Sequence, residues 1–295
     1  MARRRLLLVI TLVIGMSFLP ASPTGAVDVC GTSVGPGGKV VLDMDQSCNS
    51  DPAITVVGPV SLDLNGFKVT CTSSSQDGIL VEGTGAKLLD GVVTACDVAV
   101  SLSGSKHTVE RVVAQASDGS GFVNYAPKSR FTNNTSVGND GEGFSNRNAA
   151  SKCRFTGNTA TGNDRFGFAN GGAGSTFSNN TASGNGLGGF VNGFTARGNN
   201  FNTFSKNTAT GNQGDGFRNL SNGNKFSGNA SMANGGSGFR NWVQASGNTF
   251  KGNVALGNQD TDLKDDNADC DDNTWKNKLF GTSDAAGVPD PECIE

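Results

Sequence analysis

From residue 54 onward, apolar and polar positions alternate in runs of three to five residues, each closed by Gly or Asn. That period-2 pattern predicts short strands, and no 3.6-residue apolar stripe recurs to suggest helices. The 43 glycines are also too many for helix interiors. The runs repeat in a longer frame. Gly-Phe-x-Asn occurs six times, from Gly121-Phe122-Val123-Asn124 to Gly238-Phe239-Arg240-Asn241, with Phe-to-Phe steps of 22, 24, 22, 27 and 22. Asp262-Leu263-Lys264-Asp265 is a degenerate seventh copy. In the same phase Phe131, Phe155, Phe177, Phe204, Phe226, Phe250 and Trp275 each open an aromatic-x-x-Asn unit. A Thr-Ala-Thr-Gly-Asn element follows, clearest at Thr159 to Asn163 and Thr208 to Asn212. Upstream the frame continues with aliphatics, since Val109 to Ala114 superposes without a gap on Phe131 to Ser136.

A period of 20–27 residues with three short strands predicts one all-β domain, a parallel β-helix of about nine coils over residues 54–280. Coils stacked at about 4.8 Å would place equivalent residues in ladders. Alternation turns Phe168 and Asn170 inward and Ala169 outward. The Phe columns then form the core, and the Asn columns bond to one another and to the bent corners. Residues 27–53 and 281–295 are expected to be end segments. Cys71 and Cys96 share a phase in adjacent coils, which suits a disulfide. Cys30 with Cys48 and Cys270 with Cys293 would close the two ends, leaving Cys153 alone.

Residues 1–26 read differently. Arg3, Arg4 and Arg5 precede an apolar run from Leu6 to Leu19, and small residues lead up to Ala26. This is the layout of a secretory signal peptide, with a run too short for a relaxed membrane span. Its removal leaves 20 basic against 26 acidic residues. A mildly acidic chain is a poor partner for nucleic acid. The placement of the cysteines suits an oxidising compartment, so the chain is expected to be secreted or extracellular, with no membrane span once the signal is removed. With a single histidine, His107, and no CxxC pair, a zinc site is not expected.

Three constellations could carry chemistry. Asp118, Asp140 and Asp164 share one column, with Glu142 beside Asp140. Stacked carboxylates repel unless neutralised, which makes Ca²⁺ the candidate cofactor, against the plainer reading of a solvated acidic corner. Arg218, Arg240 and Lys264 share the outward column of Gly-Phe-x-Asn and would suit the carboxylates of an acidic polysaccharide. Arg130 and Arg154 share another outward column, and with His107 they are the candidate catalytic groups, although His107 has no visible partner. Tyr125 is the only tyrosine. The Thr-x-Thr pairs at Thr159/Thr161 and Thr208/Thr210 present a small hydroxyl array, a minor pointer to ice binding.

The repeat as a whole resembles the right-handed parallel β-helix superfamily of pectate-lyase-like folds, and within it the secreted β-helix repeat proteins. That resemblance implies a polysaccharide or cell-surface glycan as partner, with lyase, hydrolase, esterase or epimerase chemistry. Signature motifs of its enzymes are missing: His107 lies in Lys106-His107-Thr108, and neither Asp51-Pro52 nor Asp290-Pro291 is followed by histidine. Coils of 22 to 24 residues leave little loop to wall a cleft; only Ala196 to Asn200 reads as an insertion. A non-catalytic extracellular solenoid, serving adhesion, surface structure or glycan binding, is therefore the alternative to a carbohydrate-active enzyme.

Overall fold

A computed structural model of the chain describes residues 27–193, 200–267, 272–277 and 279–285. The expected signal segment, the expected insertion up to residue 199, Cys270 and Cys293 lie outside the described residues. The fold is a right-handed parallel β-helix. One sheet holds twelve strands, all paired with their neighbours in parallel, so the solenoid makes about eleven turns rather than nine. The difference lies at the ends. Ser33–Val34, Lys39–Val41 and Gln46–Cys48 already form a coil, in register with the next one. At the other end Ser283–Ala285 pairs with Leu263–Asp265.

Each coil contributes one strand to the twelve-stranded sheet, here the first sheet, and two to a second sheet that wraps the rest of the solenoid. The register is the one the repeat predicts: Phe144 pairs with Phe168, Phe155 with Phe177, and Ala160 with Ala182. Between the two rows of the second sheet the chain turns through one left-handed residue. Asp90 and Arg111 take that conformation inside the continuous strands Lys87–Thr94 and Thr108–Gln115, as do Asn133, Gly157 and Asn179 in later coils.

Phenylalanines fill the interior. Rings in one column stack nearly parallel, with centroids 4.6–4.8 Å apart, as for Phe168 on Phe190 and Phe131 on Phe155. The two columns meet edge to face, Phe168 against Phe177 at 6.4 Å. Such geometry suits the ring quadrupole, and each ring buries about 150–250 Å².

The asparagine columns are hydrogen-bonded ladders. Asn158 is representative: its Nδ2 donates to Asn180 Oδ1 at 3.0 Å and to the Phe131 carbonyl at 2.9 Å. Its backbone N–H donates to the same Asn180 oxygen at 2.9 Å. Disulfides join Cys30 to Cys48 and Cys71 to Cys96, while Cys153 is a buried free thiol whose pKa burial pushes up.

Candidate functional site

The outer face of the first sheet is not bare. Corner residues rise on both sides of its strands, so Val123, Ser145, Ala169 and Val191 point away from the core yet are buried. Three columns shape the resulting trough. The floor is the column just named, continuing into Arg218, Arg240 and Lys264. One wall carries the residues that enter each strand, among them Glu142, Phe166 and Asp215. The other carries those that follow the ladder asparagines: Tyr125, Arg147, Leu220 and Trp242.

Chemistry changes along the trough. Its N-terminal part is an open hollow of about 570 Å³, lined by Asp77, Asp97, Asp118, Asp140 and Glu142, with Tyr125, Arg147 and Arg165. Glu142 is only 2% exposed; its Oε2 accepts the Ser120 hydroxyl at 3.0 Å, and its Oε1 lies 3.3 Å from Arg165 Nη1. Asp77 is held above the ordinary carboxylate range, chiefly by burial, with Asp51 and Asp97 adding repulsion. Tyr125 is 48% exposed, and the Arg147 Nε is buried with no hydrogen-bond partner in the protein.

The middle is apolar, with Phe166, Ala169 and Val191 packed together and Leu220 against them. The C-terminal part is cationic and aromatic. The Arg240 guanidinium lies 4.1 Å from the Trp242 ring centre, and that of Arg218 lies 5.5 Å from Trp242 and 5.9 Å from Phe166. Each cation contacts a carboxylate: Arg218 Nε to Asp215 and Arg240 Nε to Asp266 at 2.7 Å, Lys264 Nζ to Asp260 at 3.4 Å.

The other sequence candidates fall elsewhere. Arg130 and Arg154 are exposed on the second sheet, paired in adjacent coils, and do not line the trough. His107 is fully buried, contrary to a catalytic assignment. Its Nδ1 accepts the Ala86 N–H at 3.1 Å, so Nε2 donates to the Ser103 carbonyl at 2.7 Å. Asp118, Asp140 and Glu142 share the hollow, while Asp164 is exposed and outside its lining. These carboxylates do not converge: among the described residues no three His, Cys, Asp or Glu side chains meet closely enough to hold an ion. Sequence reasoning missed Arg147, Arg165 and Trp242. The available signal was position, since Arg147 and Trp242 directly follow a Gly-Phe-x-Asn.

The family profile described as periplasmic copper-binding protein (NosD) matches residues 61–287. The chain belongs to the NosD family. No curated protein sequence matches this NosD-family chain. Solved structures do. The A-module of the Azotobacter vinelandii mannuronan C-5 epimerase AlgE6 is 18% identical over 86% of this chain and 83% of that one, with a TM-score of 0.65. Pectate lyase Pel9A is 18% identical over 90% and 73%, with a TM-score of 0.53. The Dettilon tailspike protein is 15% identical, and the match spans 86% of this chain and 61% of that one, at 0.53. These likenesses establish the fold, and polysaccharide-acting β-helix proteins are among its structural neighbours. The periplasmic family description agrees with the two disulfides, a chemistry of oxidising compartments.

The copper of the family description requires soft or imidazole ligands. In this NosD-family chain His107 spends both ring nitrogens on the backbone. Cys153 is buried against Asn124 and the Ala126 carbonyl, and Met44 and Met232 sit in coils far apart. The described residues do not form a copper site.

Proposed function

We propose that the trough on the first sheet is a glycan-binding groove, in which a linear polysaccharide lies parallel to the solenoid axis, and that the protein works there after secretion. The observation that carries this is that the open hollow and the stacked Arg240–Trp242 platform lie on the outer face of one parallel sheet, several coils apart. Aromatic rings offer an apolar face to the C–H side of a sugar, and guanidinium donors reach its hydroxyls. Mono- and disaccharides are too short to bridge several coils, so affinity should grow with chain length.

A second reading, modification of the bound glycan, has one specific support. Exposed Tyr125 and the unpartnered Arg147 Nε share one wall of the acidic hollow, where a proton could move to or from a sugar.

Trp242→Ala is expected to weaken binding of a retained oligosaccharide about tenfold, measured by calorimetry, with the far-ultraviolet spectrum unchanged. Unaltered affinity in that variant, or in Arg240→Ala, would remove the groove as the binding site. Product assays on the same oligosaccharides, with Tyr125→Phe and Arg147→Ala alongside, decide the catalytic reading: turnover that survives both substitutions rules it out.

A further inference from the structure

The charge of the trough says what kind of glycan it holds. The stripe of Arg218, Arg240 and Lys264 looks anionophilic in the sequence, but in the fold every one of its cations has a carboxylate in contact. Asp215 is the most constrained of these partners. Its side chain is 5% exposed, its Oδ2 takes Arg218 and its Oδ1 accepts the Ser237 N–H at 2.8 Å. A uronate that displaced Asp215 from Arg218 Nε would leave the Asp215 carboxylate buried without its cation, a costly state. The pairs instead present compensated dipoles. Arg218 and Arg240 contact their aspartates through Nε, one of five N–H donors on each guanidinium, and this suits hydroxyl groups.

The opposite end is more decisive. Its hollow sets five carboxylates against two guanidinium groups, and Arg165 is already engaged with Glu142. Asp77, raised chiefly by burial, also feels repulsion from Asp51 and Asp97, to which a further carboxylate would add. Between the ends Phe166, Ala169 and Val191 are packed together and nearly covered, and they place no charge there to reward an anion.

Building on the glycan-groove reading, we infer that the trough accepts a glycan without carboxylate or sulfate groups, and discriminates against polyuronates. This separates the chain from what the pectate lyase and mannuronan epimerase neighbours are named for.

The test uses the mature protein at low salt with EDTA, which removes bridging divalent cations. Neutral β-glucan, xylan and dextran oligosaccharides, polygalacturonate and dextran sulfate are compared by calorimetry and affinity electrophoresis. A neutral chain should bind with little dependence on salt, and polygalacturonate should bind at least about tenfold more weakly. The double substitution Asp118→Asn, Asp140→Asn changes two exposed residues and should raise polygalacturonate affinity several-fold. Tighter binding of polygalacturonate or dextran sulfate than of every neutral chain would overturn the inference while leaving the groove reading intact. No change in the double variant would also count against it. Failure of every glycan to bind would overturn the groove reading itself, and this inference with it.

Discussion

A single buried side chain can look like chemistry in a sequence and act as structure in the fold, and His107 is the case here. The ring closes two backbone groups, the Ala86 N–H and the Ser103 carbonyl, and does so in its neutral form. Burial is the leading cause that holds its pKa below the ordinary imidazole value of 6.5, against the two backbone hydrogen bonds. Between that lowered value and 6.5 the unfolded chain binds the extra proton, so stability is lost as pH falls through this window. Urea unfolding across mildly acidic pH should show the loss in the wild-type protein. His107→Leu should remove that dependence and lower stability by about 2 kcal/mol near neutrality, through the unpaired Ala86 and Ser103 groups. An acid slope unchanged in the variant would assign it to other groups. Nothing in Lys106-His107-Thr108 disclosed this role, because the partners come from a neighbouring coil and from the preceding corner.

Ladders are the element that the repeat discloses best, because a column of identical residues is visible as recurrence. Their direction is not visible. In the column from Asn134 to Asn253 each Nδ2 donates toward the next coil, and each Oδ1 accepts from the previous one. Such a chain of donors must end on an acceptor. Two other columns do so on carboxylates: Asn258 Nδ2 donates to Asp262 Oδ1 at 2.8 Å, and Asn241 Nδ2 donates to Asp265 Oδ1 at 3.3 Å. Asp262 and Asp265 stand in the sequence as part of a degenerate seventh copy; in the fold they close the ladders. Mid-ladder, Asn180→Ala would strip partners from the Asn158 backbone N–H and the Phe155 carbonyl. The expected cost is about 2–4 kcal/mol, read from the urea midpoint, and hydrogen exchange should quicken first at the corners of that coil and its neighbours. Loss spread evenly over the solenoid would mean that the ladder does not act locally. Wall residues such as Tyr125, Arg147 and Trp242 lack this legibility: each occurs once in its column, so periodicity gives them no signal, and only their place after the ladder asparagine marks them.

At the scale of the whole molecule, the same coil builds both the core and the groove, so removing one coil tests the two together. The solenoid is quasi-one-dimensional, each coil contacting only its neighbours. The register is also regular enough that Arg154 pairs with Thr176, and Phe168 with Phe190. Deleting residues 154–175 would therefore place Thr176 on Arg130, Phe177 on Phe131 and Phe190 on Phe144, with the asparagine ladders still continuous. The shortened chain should fold, keep its β-type circular dichroism per residue, and melt somewhat earlier for want of two stacked rings. Its groove would suffer more than its core, since the deletion removes Phe166 and Arg165 and brings the Arg240–Trp242 platform one coil closer to the acidic hollow. Glycan affinity should fall and its optimum shift to a shorter chain. A folded deletion variant with undiminished affinity for the original oligosaccharide would show that the ligand does not span the apolar middle. An unfolded one would show that coils of equal register are not interchangeable, which would locate part of the stability in sequence differences that the repeat conceals.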